Sequence, residues 1–355
     1  MTKDSEIFLN CPAPARPENH VRLAHGGGGR LMHNLVKDIF ARHFGGKAIV
    51  EGHDSATIDI GASRCAFTTD SYVVKPLFFP GGDIGTLAVN GTVNDLSMVG
   101  AVPICLSVGF ILEEGFPLET LDCIAARMRA AADLAGVSLV TGDTKVVERG
   151  KGDGLFINTS GIGLIAENLV IGPQCVEPGD VILLNGDIAR HGIAVMIARE
   201  ELGFETSIES DTAPLAGPVQ RLIKAGIDIR CMRDLTRGGL ASAAVEIAET
   251  SGAGILLNEA SIPVHPGVSA ACELLGFDPI HVANEGRFIA FVAQRDAQAA
   301  LDLLRQEPSC REAAMIGHVT DRVTGEGSAR VAMTSLIGGS RMVDMLSGEQ
   351  LPRIC

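Results

Sequence analysis

Apolar residues recur at every second position through Ile104, Leu106, Val108, Phe110 and Leu112, the alternation of a strand that turns one strongly apolar face to a core. Pro117 then opens a helix at its first turn, where a missing N–H costs nothing. Leu121, Ile124, Ala125 and Met128 share one stripe of it, and Gly136 ends it. Residues 137–140 predict a short buried strand, and 155–164 another. A second set follows Gly172-Pro173: a strand at 181–184, helices at 193–200 and 240–249, an unbroken apolar strand at 288–292 and a helix over 297–304. This order predicts four segments. Residues 1–20, with Pro12, Pro14 and Pro17 and no apolar period, form a mobile extension. Residues 21–170 form a first domain and 171–345 a second. Residues 346–355 form a mobile tail that could reach roughly 30–35 Å when extended.

Composition narrows the class. Hydrophobic residues make up 46% of the 355 and aromatics only 4%, with 42 glycines, which suits close-packed α/β structure. Few aromatics and a formal charge of −14 argue against a nucleic-acid partner, which needs stacking platforms and cations. Nine scattered cysteines without a CxxC pair read as reduced thiols in the cytoplasm. Lys3, Asp4 and Glu6 followed by prolines do not make a signal peptide, and the uncharged run 96–112 is broken by Pro103, so no membrane span is expected.

The candidate chemistry lies in aspartates beside small residues at strand ends and helix starts: Asp54, Asp70, Asp95, Asp143 and Asp234. One such aspartate is well explained as a helix cap or turn residue. Five of them suggest a convergent site whose mutual repulsion a cation would relieve, and Mg²⁺ with nucleotide phosphates suits such a site. The run His25-Gly26-Gly27-Gly28-Gly29-Arg30 could wrap phosphates, although a flexible hinge satisfies the same glycines; it is not a Walker A loop. Asp83, after Phe79-Pro80-Gly81-Gly82, suits a helix cap. Gly161 and Gly163 match a dinucleotide fingerprint by letter but fall inside a strand pattern. The chain closes on Pro352-Arg353-Ile354-Cys355, a thiol at the end of the tail.

Taken together, these motifs resemble the HypE family of hydrogenase maturation proteins. The stretches that carry the likeness include 25–29, 67–73, 76–82, 91–96, 109–115, Thr141-Gly142-Asp143-Thr144-Lys145, Asp234-Leu235-Thr236-Arg237-Gly238-Gly239, Asn284-Glu285-Gly286-Arg287 and the terminal Cys355. The resemblance implies a two-domain α/β (α+β) fold like aminoimidazole ribonucleotide synthetase, its first domain pairing with a twin into a β-barrel. It implies Mg²⁺–ATP held by Asp70, Asp95, Asp143 and Asp234, with Asn94 and Thr144 adjoining. Asp54 is less well matched. A HypF-type carbamoyltransferase would load Cys355, ATP-dependent dehydration would turn the carbamoyl group into a thiocyanate, and a HypC–HypD-type complex would accept the cyanide for a [NiFe] hydrogenase. Lys145 and Glu285 are the candidates for the base that dehydration needs, although holding phosphate as a cation suits Lys145 better and capping Arg287 or a backbone turn would also account for Glu285. Selenophosphate synthetase and thiamine-phosphate kinase resemble the same fold, and a non-catalytic thiol carrier is a further reading.

Overall fold

A computed structural model describes residues 20–44, 53–61, 63–200, 208–322, 331–346 and 354–355. The extension 1–20, apart from His20, and the tail residues Gly348, Pro352 and Arg353 lie outside them. A 3-10 turn at Leu23–Gly26 precedes the first short helix, α1 (Arg30–Leu35).

The first half builds an open five-stranded sheet from β1 (Ala56–Ile60), β2 (Ser63–Tyr72), β5 (Val102–Glu113), β6 (Ser138–Val147) and β7 (Leu155–Ile165), in the order β1-β2-β7-β5-β6. The two-residue strands β3 (Phe78–Phe79) and β4 (Gly82–Asp83) pair with each other and deliver Asp83 to the start of α2 (Ile84–Met98). Asp83 caps that helix, accepting from the N–H groups of Gly85 at 2.9 Å and Thr86 at 3.0 Å. Helix α2 then packs across the sheet. A Cβ on Gly161 would come within 2.8 Å of Leu106 and Thr92 and 2.9 Å of Leu96, so close helix–sheet approach accounts for that glycine and no nucleotide fingerprint is needed. Helix α3 (Leu118–Ala135) runs beside α2 and ends at Gly136 in the left-handed region, φ 72°. Its buried stripe keeps Ile124 and Met128, while Ala125 is exposed.

One expectation is corrected. The segment 137–140 is not a short buried strand: Val137 is buried just before the ten-residue β6, and 138–140 open that strand, which is largely exposed at the sheet edge. Val140 and Val146 there are 61% and 66% exposed, because a short apolar run carries no information about which elements will cover it. Phe67, opposite Ile162 across β2 and β7, is likewise exposed, as are Ile104 and Leu164.

The second half forms a seven-stranded sheet in the order β14-β13-β10-β12-β8-β11-β9. Its strands are β8 (Val181–Leu184), β9 (Ile229–Asp234), β10 (Ala253–Asn258), β11 (Phe288–Val292), β12 (Ala314–Arg322), β13 (Val331–Thr334) and β14 (Ser340–Val343), and β11 is buried throughout. Its helices include α4 (Arg190–Glu200), α5 (Ala216–Lys224), α6 (Gly239–Ser251), α7 (Pro266–Leu275) and α8 (Ala297–Arg305). Asn94, buried in α2, joins the two halves. Its Oδ1 accepts from Leu215 N at 2.7 Å and its Nδ2 donates to the carbonyls of Ala213 and Glu285 at 3.1 and 3.3 Å. Ile354, 5% exposed, packs into the core of the first half, which also takes in Val195 and Ala283. Among the described residues no helix is long and apolar enough to cross a membrane.

Candidate active site

Three carboxylates from distant parts of the chain meet where the two halves face each other. Asp54 leads into β1, Asp95 sits on the last turn of α2 and Asp234 ends β9; each offers an oxygen within 4.8 Å of the others. They border a cavity of about 220 Å³ whose walls also carry Thr68, Asp70, Arg237 and Gly28. Oδ2 of Asp54 and Oδ2 of Asp234 are buried without a hydrogen-bond partner. Burial pushes the Asp95 carboxyl well above the usual carboxylate range, with the charges of Asp234 and Asp54 adding to the effect. Burial likewise raises Asp54, against the opposing pull of Arg233. Asp234 is raised by burial to about 6, again against Arg233. Partnerless oxygens in a knot of mutually repelling carboxylates are the conditions a divalent cation relieves.

Arg233 and Thr68 organise the knot. Arg233 Nε lies 2.7 Å from Asp54 Oδ1, and its other end pairs with Glu246 of α6. Thr68 Oγ1 donates to Asp95 Oδ2 at 2.8 Å. Asp70, two residues further along β2, faces Arg237 at 3.7 Å. The glycine run contributes a wall: Gly28 has φ +75°, and a Cβ there would lie 2.5 Å from the carbonyl oxygen of Arg237.

Glu285, 3% exposed, keeps Oε1 without a partner. Burial and then the charges of Asp234 and Asp70 hold its carboxyl well above the ordinary range. Cys355 shares this surrounding. Burial drives its thiol pKa up, Arg237 opposes, and Glu285, Asp70 and Asp234 add to the rise. The raised pKa favours the thiol over the thiolate at this half-buried position. The expected mobile tail lies mostly outside the described residues; at its end Ile354 is seated in the core and the half-buried Cys355 packs against it.

Of the residues singled out by sequence, Asp54, Asp70, Asp95, Asp234, Glu285 and Cys355 gather here. Asn94 is adjacent, but its amide is engaged by backbone groups on both sides. Asp143, Thr144 and Lys145 do not gather. They are exposed on β6, at the opposite sheet edge from β1, where Lys145 Nζ pairs with Asp143 Oδ2 at 2.7 Å. Sequence reasoning missed Thr68, Arg233, Arg237 and Glu246. Arg233 and Arg237 flank Asp234 in one motif and were legible there as cations; Glu246 reads as an ordinary polar position of a helix.

This geometry matches known proteins. The AIR synthase related N-terminal domain matches residues 52–165, and the C-terminal domain of the same family matches 177–329. Carbamoyl dehydratase HypE of Bradyrhizobium diazoefficiens is 51% identical over 336 residues, 94% of this chain and 96% of that protein. A crystal structure of a HypE–HypF complex superposes with a TM-score of 0.83 at 46% identity, covering 88% of this chain and 99% of that one. A HypE crystal structure in complex with ATP gives 0.79 at 46% identity, covering 93% and 98%. With half its residues shared over nearly its whole length, and the carboxylate knot and seated terminal cysteine in place, the chain belongs to the HypE family of carbamoyl dehydratases.

Proposed function

We propose that this protein uses ATP to dehydrate a carbamoyl group carried on the sulfur of Cys355, giving a terminal thiocyanate as the source of cyanide for a [NiFe] hydrogenase. The observation that carries this reading is that Cys355 feels the charges of Arg237, Asp70 and Asp234, which line the cavity bordered by the Asp54–Asp95–Asp234 knot. A relative of 46% identity has been crystallised with ATP, which supports the nucleotide.

The chemistry follows from a poor leaving group. The oxygen of a thiocarbamate departs badly as hydroxide. Transfer of the γ-phosphoryl group to that oxygen, with loss of one N–H proton, gives a phosphorylated imidate and ADP. Loss of the second N–H proton as the C–O bond breaks then yields the nitrile and inorganic phosphate. Asp54, Asp95 and Asp234, with Asp70 beside them, would hold Mg²⁺, and their partnerless oxygens fit that task. Bound there, Mg²⁺ would neutralise charge on the phosphoryl group. Glu285 is the favoured base: its raised pKa brings it toward the range in which a carboxylate exchanges protons near neutrality. Arg237 supplies positive charge beside the sulfur. Asn94 serves by fixing α2 against the segment bearing Glu285.

Asp143, Thr144 and Lys145 enter this reading through a second copy of the chain. The outer face of the five-stranded sheet exposes Phe67, Ile104, Ile162 and Leu164, an apolar surface suited to a homodimeric barrel. In such a pair the edge strand β6 of the partner could carry its carboxylate and lysine toward this cavity. A HypF-type carbamoyltransferase as the donor fits the crystallised complex of a relative. A HypC–HypD-type complex as the acceptor, and a cytoplasmic setting, complete the reading. The test is the mass of the terminal peptide from carbamoylated protein. Loss of one water with Mg²⁺–ATP, and none without nucleotide, is expected; loss without nucleotide would overturn the reading.

A further inference from the structure

The tail end is held chiefly by its main chain and by Ile354, with the half-buried Cys355 side chain packed against the same core. Val73 N donates to an oxygen of the Cys355 α-carboxylate at 2.9 Å, and Val74 and Ile354 form an isolated antiparallel bridge. The Ile354 side chain is buried in the core. From the second half of the molecule, His191 Nε2 is hydrogen-bonded to the Ile354 carbonyl oxygen.

His191 is built to do this. It is completely buried at the start of α4, its ring edge-on to Phe79 with centroids 5.4 Å apart. Its backbone N–H is held by Asp211 Oδ1 at 3.1 Å, and its Nδ1 lies 2.8 Å from Ser210 Oγ. The Ile354 carbonyl can only accept, so Nε2 carries the proton. Burial keeps the ring neutral, and Nδ1 therefore accepts from the Ser210 hydroxyl. Ser210 is itself anchored, its N–H donating to the Pro80 carbonyl at 2.8 Å and its Oγ accepting from Thr212 N at 3.2 Å. The relay from Ser210 through the imidazole to Ile354 fixes one tautomer pointing one way.

We infer that His191 is a positioning residue for the dehydration, seating the chain end by the Ile354 carbonyl so that whatever the terminal sulfur carries is presented to the cavity. This rests on the dehydratase reading for its consequence, but not for the seat itself. Because most of the seat grips backbone and the Ile354 side chain, it does not depend on a free sulfur, and release must come from breaking these contacts.

The seat is tested on the full-length, unmodified protein without nucleotide, by alkylation of Cys355 with iodoacetamide followed by peptide mass spectrometry. A His191→Asn side chain is too short to reach the Ile354 carbonyl, so Cys355 should be alkylated about three- to tenfold faster, the factor expected for one lost hydrogen bond. His191→Gln places an amide donor near Nε2 and should restore the slow rate. Ser210→Ala, on the partly exposed loop, frees the ring to adopt the other tautomer and should raise the rate even if the His191 variants fold poorly. Single-turnover dehydration should slow in the same order, with ATP affinity unchanged. Equal alkylation rates in wild type, folded His191→Asn and Ser210→Ala would overturn the seat; faster alkylation without slower dehydration would overturn the positioning role.

Discussion

The hydroxyl of Thr68 donates to Oδ2 of Asp95 at 2.8 Å, tying β2 to the last turn of α2 beside two further carboxylates. A neutral donor of this kind steadies a carboxylate without cancelling its charge. Arg233 offsets only part of the repulsion among Asp54, Asp95 and Asp234, and a divalent cation would relieve the rest.

That residual repulsion sets the sign of a first prediction. Lifting Asp234 from 3.8 to about 6 costs the folded state on the order of 3 kcal/mol at neutral pH. Asp234→Asn and Asp95→Asn should each raise the melting temperature in the absence of divalent cations, while lowering Mg²⁺-dependent ATP turnover at least 100-fold. Calorimetry and a phosphate-release assay on the same samples check both halves. Loss of stability together with activity would mark these aspartates as structural.

The pH dependence follows from the same shift. Between about pH 4 and pH 6 the folded state binds more protons at Asp234 than the unfolded chain does, so metal-free stability falls as pH rises through that window. Mg²⁺ competes with those protons. Its stabilising effect should be small at pH 5 and several degrees larger at pH 7.5, read by melting curves with and without Mg²⁺ and no nucleotide. An increment independent of pH would place the ion elsewhere.

How far the sequence foretold this depends on what surrounds each segment. The alternation was legible over 106–112, where β5 buries Leu106, Val108 and Leu112, whereas Ile104, beside the irregularity at 103–105, is exposed. Helix α2 was legible only by its Asp83 cap, because it is enclosed on nearly every side and so shows no amphipathic period. The aspartates were recognisable by type, yet Asp95 and Asp143 look alike locally, and tertiary packing sends one into the cavity and the other to an open edge. His191 gave no signal, since its role depends on where the chain end lands.

The open sheet face yields a third prediction. Ile162→Glu, on the side of β7 away from α2, should leave the fold of one chain intact but place a charge in the proposed homodimer barrel. Light scattering should show wild type as a dimer at micromolar concentration and the variant shifted to monomer, with ATP turnover falling if Asp143 and Lys145 act across the interface. A monomeric wild type would remove the barrel from the proposal.

The last prediction separates the two candidate bases. Glu285 is buried beside the docked Cys355, with an oxygen that has no hydrogen-bond partner, whereas Lys145 is exposed and paired with Asp143 on an edge strand. Glu285→Gln keeps the shape and the backbone contacts to Asn94 and Asp211 but cannot take a proton. It should slow nitrile formation by about 10²–10⁴-fold while leaving ATP affinity and Cys355 docking near normal. Lys145→Ala should weaken ATP binding if the lysine holds phosphate, and should spare the chemical step once nucleotide is saturating. The two outcomes part in a single-turnover experiment on carbamoylated protein at saturating Mg²⁺–ATP. Accumulation of a phosphorylated intermediate in Glu285→Gln would place the residue after phosphoryl transfer. Wild-type rates in Glu285→Gln, with a large loss at saturation in Lys145→Ala, would move the base to the partner's edge strand and make the dimer, not the single chain, the unit that performs the dehydration.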